Sequence, residues 1–408
     1  MSQSPVALVA SRGALAAFKN ISPTGASGNT SDPVLLGRNW ASATILADMC
    51  QLNPDSNEKG GLIGTAYTVR DMMQIVDAIE DDGLLRYFGA TAAAMFPDRV
   101  GKVLLDSVVN PHEWYNYFEV EMSADADATL LEFCRACLQT PTKCALARGN
   151  ATAEGLQQKI LTFVDEAKFR PVVMGPFIVD HDFMSRNIRP ALYNPAHWPF
   201  FAAWLDALFT GDMIAASAHF LVLVARFPAI QTGAGVGDDS AVGIQCIDKI
   251  PRVDSLDKFL PVVDDFTETS RSIGQNNLYV AMACAQWKIE AKETYKGDFN
   301  VKTKNPLFIF SNSYDPATPL RSAQNVSAGF EGSVLLQSEG FGHGWRTHPS
   351  VCVAKAIQKY FDEGVLPEPG TKCKTDVAAF DVTNTSWDAL LPEIGFDTQS
   401  KRSVQLFA

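Results

Sequence analysis

Positive charge is scarce in this sequence: 34 Lys and Arg stand against 46 Asp and Glu, a formal charge of −12 over 408 residues. An acidic surface repels a phosphate backbone, and no stripe of Lys and Arg interrupts it, so nucleic acid is not expected as a partner. Long apolar runs are also lacking. No stretch approaches the roughly 18 apolar residues that span a bilayer, which argues against a membrane protein. The apolar start at 5–10 is broken by Ser11-Arg12-Gly13 before a signal-type segment forms, so no export signal is visible and the compartment stays open. Internal repeats and low-complexity runs are absent. Histidine is sparse at six residues, and Cys134-x-x-Cys137 has one further cysteine nearby, Cys144, and no His-x-x-x-His, a poor four-ligand zinc set. Neither a metal nor a cofactor is expected.

What is present is an ordinary globular composition, 47% hydrophobic and 20% charged, with enough chain for a large core. Length alone suggests two or three domains at about 150 residues each, organised as one core with an insertion. Eight cysteines, and N-x-S/T sequons at Asn20, Asn29, Asn150, Asn325 and Asn384, point to a secretory ancestry.

Residues 1–45 are rich in Ser, Gly, Pro and Asn and read as largely irregular, with one short helical candidate at 14–19. Helical spacing appears at 40–50 and again at 68–79, where Thr68 is the expected cap and Val69, Met72, Met73, Val76 and Ile79 form one stripe. A short strand at 84–88, an Ala-rich helix at 89–96 and a strand at 103–109 follow. This alternation argues for parallel strands joined by crossover helices. It returns near the other end with strands at 307–310 and 333–337 and a helix at 350–361 that Gly364 closes. The stretch 112–290 is helical in pattern without strand alternation. Within it Trp198, Phe200, Phe201, Trp204 and Leu208 make an aromatic face, read as packing of the insertion.

Chemistry is concentrated behind the last two strands. Asp315 follows one and His343, in Gly340-Phe341-Gly342-His343-Gly344, follows the next. Parallel strands deliver both to one sheet edge, where open α/β folds place their sites. There a buried carboxylate can fix an imidazole tautomer and stabilise the imidazolium. His112, His181, His197, His219 and His348 read as surface or packing residues.

These segments are familiar. Tyr314-Asp315-Pro316-Ala317-Thr318-Pro319-Leu320, Gly342-His343 and Pro349-Ser350-Val351-Cys352 resemble the C-terminal domain of tripeptidyl aminopeptidase-like α/β-hydrolases, fungal ones in particular. Phe96-Pro97-Asp98-Arg99-Val100, Leu105-Asp106-Ser107-Val108-Val109-Asn110-Pro111 and Ala191-Leu192-Tyr193 resemble the same family, over about residues 40–376. The resemblance implies a partial α/β-hydrolase fold: a mostly parallel sheet with a large helical cap. The core halves would be 1–111 and 291–408, with the cap at 112–290. It implies serine hydrolases, often secreted, that cleave peptide, ester or amide bonds, here in a fungal biosynthetic pathway, with Asp315 and His343 as triad acid and base. It also implies disulfides Cys352–Cys373 and Cys246–Cys284, and one of Cys134 or Cys137 with Cys144.

One part of the family pattern is missing. There, the strand matching Leu84-Leu85-Arg86-Tyr87 enters a nucleophile elbow, G-x-S-Y-G, whereas this chain passes from Tyr87 directly to Phe88-Gly89-Ala90-Thr91. Without that serine no acyl-enzyme forms, and one oxyanion donor goes with it. The Gly-rich loop that supplies the other donor belongs before residue 1, so the resemblance implies an N-terminally shortened form. Ser107 stands where the family has glycine and reads as structural. Three functions follow: a hydrolase by descent, inactive as this chain stands; a non-catalytic ligand- or partner-binding pseudoenzyme; or an acid/base catalyst using Asp315 and His343 alone. The expected partner is a small-molecule or peptide substrate. A homodimer or aggregate through the shortened sheet edge is the other.

Overall fold

The computed structural model describes residues 32–87, 90–227, 239–383 and 385–395. The helical candidate at 14–19, the Phe88-Gly89 junction and the sequons at Asn20, Asn29 and Asn384 lie outside them. Asn150 and Asn325 are exposed.

Among the described residues seven strands are formed: β1 (Leu85–Tyr87), β2 (Val100–Asp106), β3 (Val172–Met174), β4 (Phe177–Val179), β5 (Phe308–Tyr314), β6 (Val334–Phe341) and β7 (Lys372–Cys373). Five of them make one sheet in the order β1-β2-β5-β6-β7, and every pairing in it is parallel. Parallel neighbours need crossovers. The helix Ala90–Met95 joins β1 to β2, Leu320–Gly329 joins β5 to β6, and Val351–Glu363 joins β6 to β7. The alternation read from the sequence is thus a sheet covered on both faces, and the architecture is consistent with the α/β-hydrolase fold that the resemblance implies.

The two faces follow the period of two along each strand. Leu104, Phe308, Phe310 and Leu336 pack on Val353, Ile357 and Tyr360 of the Val351–Glu363 helix. Val103, Leu105, Leu307 and Ile309 face the other way, toward Val69, Met73, Val76 and Val326. The Tyr360 hydroxyl accepts from Val103 N–H at 2.9 Å, pinning the helix to β2. Ser350 caps this helix by accepting from Val353 N–H, and Gly364 at φ 76° closes it.

Between β2 and β5 the chain is mainly helical. Trp198, Phe201, Trp204 and Leu208 of the helix Trp198–Thr210 are buried in one apolar cluster with Phe133 and Phe220, as the aromatic face suggests. Sequence reading found no strands here. The structure has a small antiparallel hairpin, β3–β4, reversed at Gly175 with φ 56°. Its strands are too short for an alternation to register.

Three expectations change at the start of the described chain. Residues 33–39, read as irregular, open the long helix Pro33–Leu52, started by Asp32, which accepts from Leu35 N–H, with Pro33 in the first turn. This helix packs with Phe259, Leu278 and Met282 of the cap, not on the sheet. Beyond a short helix at Pro54–Lys59, the helix Thr65–Ile79 begins at Thr65 rather than at a Thr68 cap, because the buried Asp248 accepts from Thr65 N–H at 2.8 Å. A residue far along the chain performs the capping, which no local pattern could show.

Cys137–Cys144, Cys246–Cys284 and Cys352–Cys373 stand as disulfides, and Cys134 remains a buried thiol. The last pair ties the Val351–Glu363 helix to the edge strand β7.

The Phe308 ring meets Tyr360 edge-on with centroids 5.5 Å apart, at the seam between sheet and helix. Phe308→Ala should cost about 3–5 kcal/mol in urea unfolding, and a loss below about 1 kcal/mol would show that this seam does not hold the core.

Candidate functional site

The site is set by the register of β5 and β6. Their last pair is Tyr314 with Phe341, after an irregularity at Asn312, so Asp315 and the 342–344 loop leave the sheet side by side. Asp315 is fully buried. Its Oδ1 accepts from the N–H groups of Ala317 and Thr318, both at 2.9 Å, and its Oδ2 accepts from the Thr318 hydroxyl at 2.8 Å.

His343 Nδ1 lies 3.0 Å from Asp315 Oδ2 and 3.2 Å from Oδ1. Nδ1 also meets the Thr318 hydroxyl oxygen at 3.1 Å; since the two carboxylate oxygens can only accept, Nδ1 carries the hydrogen and Nε2 the lone pair. Among the described residues, hydrogen bonds to this ring fall on Nδ1, and the side chain is 35% exposed, so Nε2 is available to a reacting group. Burial opposes the imidazolium. The hydrogen bond and charge of Asp315, together with the charge of Asp106, outweigh that and raise His343 above the ordinary histidine value, with Arg189 acting against them.

The loop that carries His343 is held from three directions. The buried Asn312 on β5 donates from Nδ2 to the carbonyls of Gly342 at 2.9 Å and Gly344 at 3.1 Å. From the cap, the Tyr193 carbonyl accepts the His343 N–H at 2.8 Å, and the Tyr193 ring stands 5.1 Å from the imidazole. Gly342, at φ 92°, must be glycine, since a Cβ there would lie 2.4 Å from the Tyr193 oxygen. From β2, Asp106 accepts the Trp345 N–H at 3.2 Å. Below the loop, buried His348 takes the Phe341 N–H on Nδ1 at 3.2 Å and meets the Val377 carbonyl through Nε2 at 2.7 Å. Burial drops its pKa to about 4, so it is a neutral packing residue.

Sequence reasoning named Asp315 and His343, and the structure brings them together. It passed over Asn312, Thr318 and Asp106. Asp106 stands partly buried at the His343 loop, where burial pushes it up to about 6. The available signal was position: each lies within a few residues of a strand end on the same sheet edge. His181 and His197 are buried, and His112 and His219 exposed.

Ser107 occupies a left-handed conformation, φ 54°, at the end of β2, which accounts for the glycine of the family pattern. Its hydroxyl donates to Asp106 Oδ1 at 3.1 Å and not to His343. A non-glycine residue there costs about 1–2 kcal/mol, offset by roughly 0.5–1 kcal/mol of glycine's extra entropy. Ser107→Gly should therefore raise stability by up to about 1 kcal/mol in chemical denaturation and Ser107→Val should lower it, and an unchanged Ser107→Val variant would show the backbone relaxes freely.

With this geometry in view, the relatives are informative. Residues 270–373 match the family model of the TAP-like protein, a segment that contains β5, β6, Asp315 and His343. The serine protease Hip1 of Mycobacterium tuberculosis is 23% identical over 330 residues, covering 76% of this chain and 62% of that protein. Carboxylesterase B of the same organism is 22% identical over 334 residues, covering 76% of this chain and 60% of its own length. The chain thus spans about three fifths of the length of these curated relatives. The matched segment covers about a quarter of the chain; with the parallel sheet it is consistent with an α/β-hydrolase fold, and hydrolases are among the proteins this chain is similar to.

Proposed function

We propose that this protein derives from serine hydrolases acting on peptide, ester or amide bonds, and that the chain keeps the acid–base half of the catalytic centre without the nucleophile. The observation that carries the reading is the Asp315–His343 hydrogen bond, 3.0 Å long, with no hydrogen bond to Nε2 among the described residues. In a full centre this Nε2 removes a proton from the attacking hydroxyl and returns it to the leaving group, while Asp315 holds the tautomer. Relatives named as a serine protease and a carboxylesterase support an acyl-transfer lineage. The substrate we expect is a peptide or a small molecule with an ester or amide.

The resemblance puts the serine between Tyr87 and Phe88, where this sequence has none. The open Nε2 favours a second reading as well, in which His343 acts as a general base toward a bound substrate without an acyl-enzyme.

The decisive measurement is labelling with a fluorophosphonate probe. The unaltered chain should remain unlabelled. A form with a G-x-S-Y-G segment inserted after Tyr87 should gain labelling only to the extent that its oxyanion donors are restored, since loss of one donor costs about 10²–10³-fold. Stoichiometric labelling of the unaltered chain, mapped to Ser107 or elsewhere, would sink the reading.

We also propose self-association through β1, an edge strand with one described neighbour. Its Arg86 pairs with Glu80 and Asp82, charges that guard such an edge only in part. Sedimentation should show concentration-dependent dimers or larger species, and a monodisperse monomer across the range would count against it.

A further inference from the structure

We propose that Asp106 is a positioning residue for His343: from the end of β2 its carboxylate holds the His343 loop through the Trp345 N–H and adds a second negative charge beside the imidazole. The inference rests on the Asp315–His343 reading and deepens it. β2 is the neighbour of β5, and β5 of β6, so the ends of three adjacent parallel strands deliver Asp106, Asp315 and His343 to one edge.

The contacts are specific. Both Asp106 oxygens face the Trp345 N–H, at 3.2 and 3.4 Å, two residues beyond His343. Gly344 sits between, and a Cβ there would lie 3.5 Å from Asp106 Oδ2, so the carboxylate backs directly onto the loop. The remaining partner of Asp106 is the hydroxyl of Ser107. Two donors are few for a carboxylate buried to this degree, and burial raises its pKa to about 6 against their pull and that of His343. The charged and titratable groups around the imidazole are Asp315 from β5, Asp106 from β2, and Arg189 and Tyr193 from the cap. Arg189 lowers the affinity of His343 for its proton and the two carboxylates raise it. Asp106 and His343 are therefore coupled: the ionised carboxylate favours the imidazolium, and the imidazolium favours the ionised carboxylate.

A residue that only packed the loop would affect stability and leave the proton affinity of His343 alone. The test is the titration of His343 by its ring proton resonance in the full chain, for the unaltered protein, Asp106→Asn and Asp315→Asn. Asp106→Asn keeps an acceptor for Trp345 and removes the charge, so the His343 midpoint should fall by about half a pH unit or more. Asp106→Ala also removes the acceptor, and exchange of the Trp345 amide should quicken by about tenfold or more. If Asp106→Asn leaves the midpoint in place while Asp315→Asn lowers it, the proposal is wrong and the Asp315–His343 pair stands. If neither variant moves it, the pair itself fails and the proposal with it. Should Asp106→Asn not fold, the carboxyl carbon of Asp106 in the unaltered chain gives the same reading. It should show an inflection at the His343 midpoint, and a curve without one overturns the coupling.

Discussion

The hydrogen bond between the buried Asp315 carboxylate and His343 Nδ1 depends on one constraint, the parallel register of β5 and β6. With Tyr314 opposite Phe341, the carboxylate and the imidazole leave the sheet at the same height. A shift of one residue would turn each side chain to the opposite face. The seams on both sides of the sheet, the Val351–Glu363 helix with its disulfide to β7, and the Asn312 clamp all act to keep that register.

The electrostatics follow from the same placement. The fully buried Asp315 carboxyl accepts from Ala317, Thr318 and His343, and its hydrogen bond and charge raise the proton affinity of a partly exposed imidazole. The cap takes part through Tyr193, whose carbonyl fixes the loop backbone and whose position requires Gly342. Cap and sheet are therefore joined at the site itself. Trp198 of the cap extends that junction, its ring standing 5.2 Å from Phe341 at the end of β6.

Acyl transfer needs three parts to converge: a base with a held tautomer, a nucleophile on a strained turn, and donors for the oxyanion. The first is assembled here with care that extends to the residues behind it. Ser107 shares the backbone strain of a nucleophile turn, but its hydroxyl is committed to Asp106. Strain at the end of a core strand is in this case the mark of a glycine position, and a hydroxyl near a histidine is not a nucleophile until the two share a proton.

Much of this molecule is legible in its sequence because the controlling signals are local. Alternating strands and helices, the Ser350 cap and Gly364 stop, the aromatic face at 198–208 and the Asp315 and His343 loops each depend on spacing within a few residues. Lengths were less legible: β5 and β6 run on through Tyr314 and Phe341, because polar residues such as Asn312 and Ser338 are buried where strand neighbours and loop carbonyls satisfy them. Tertiary structure alone decided what arises between distant segments. Asp248 starts the Thr65 helix, the Pro33–Leu52 helix joins the cap, and Asp106 meets the His343 loop. A sequence records which side chains can accept a hydrogen bond or fill a volume, but which partner comes within 3 Å is set by the packing of elements hundreds of residues apart.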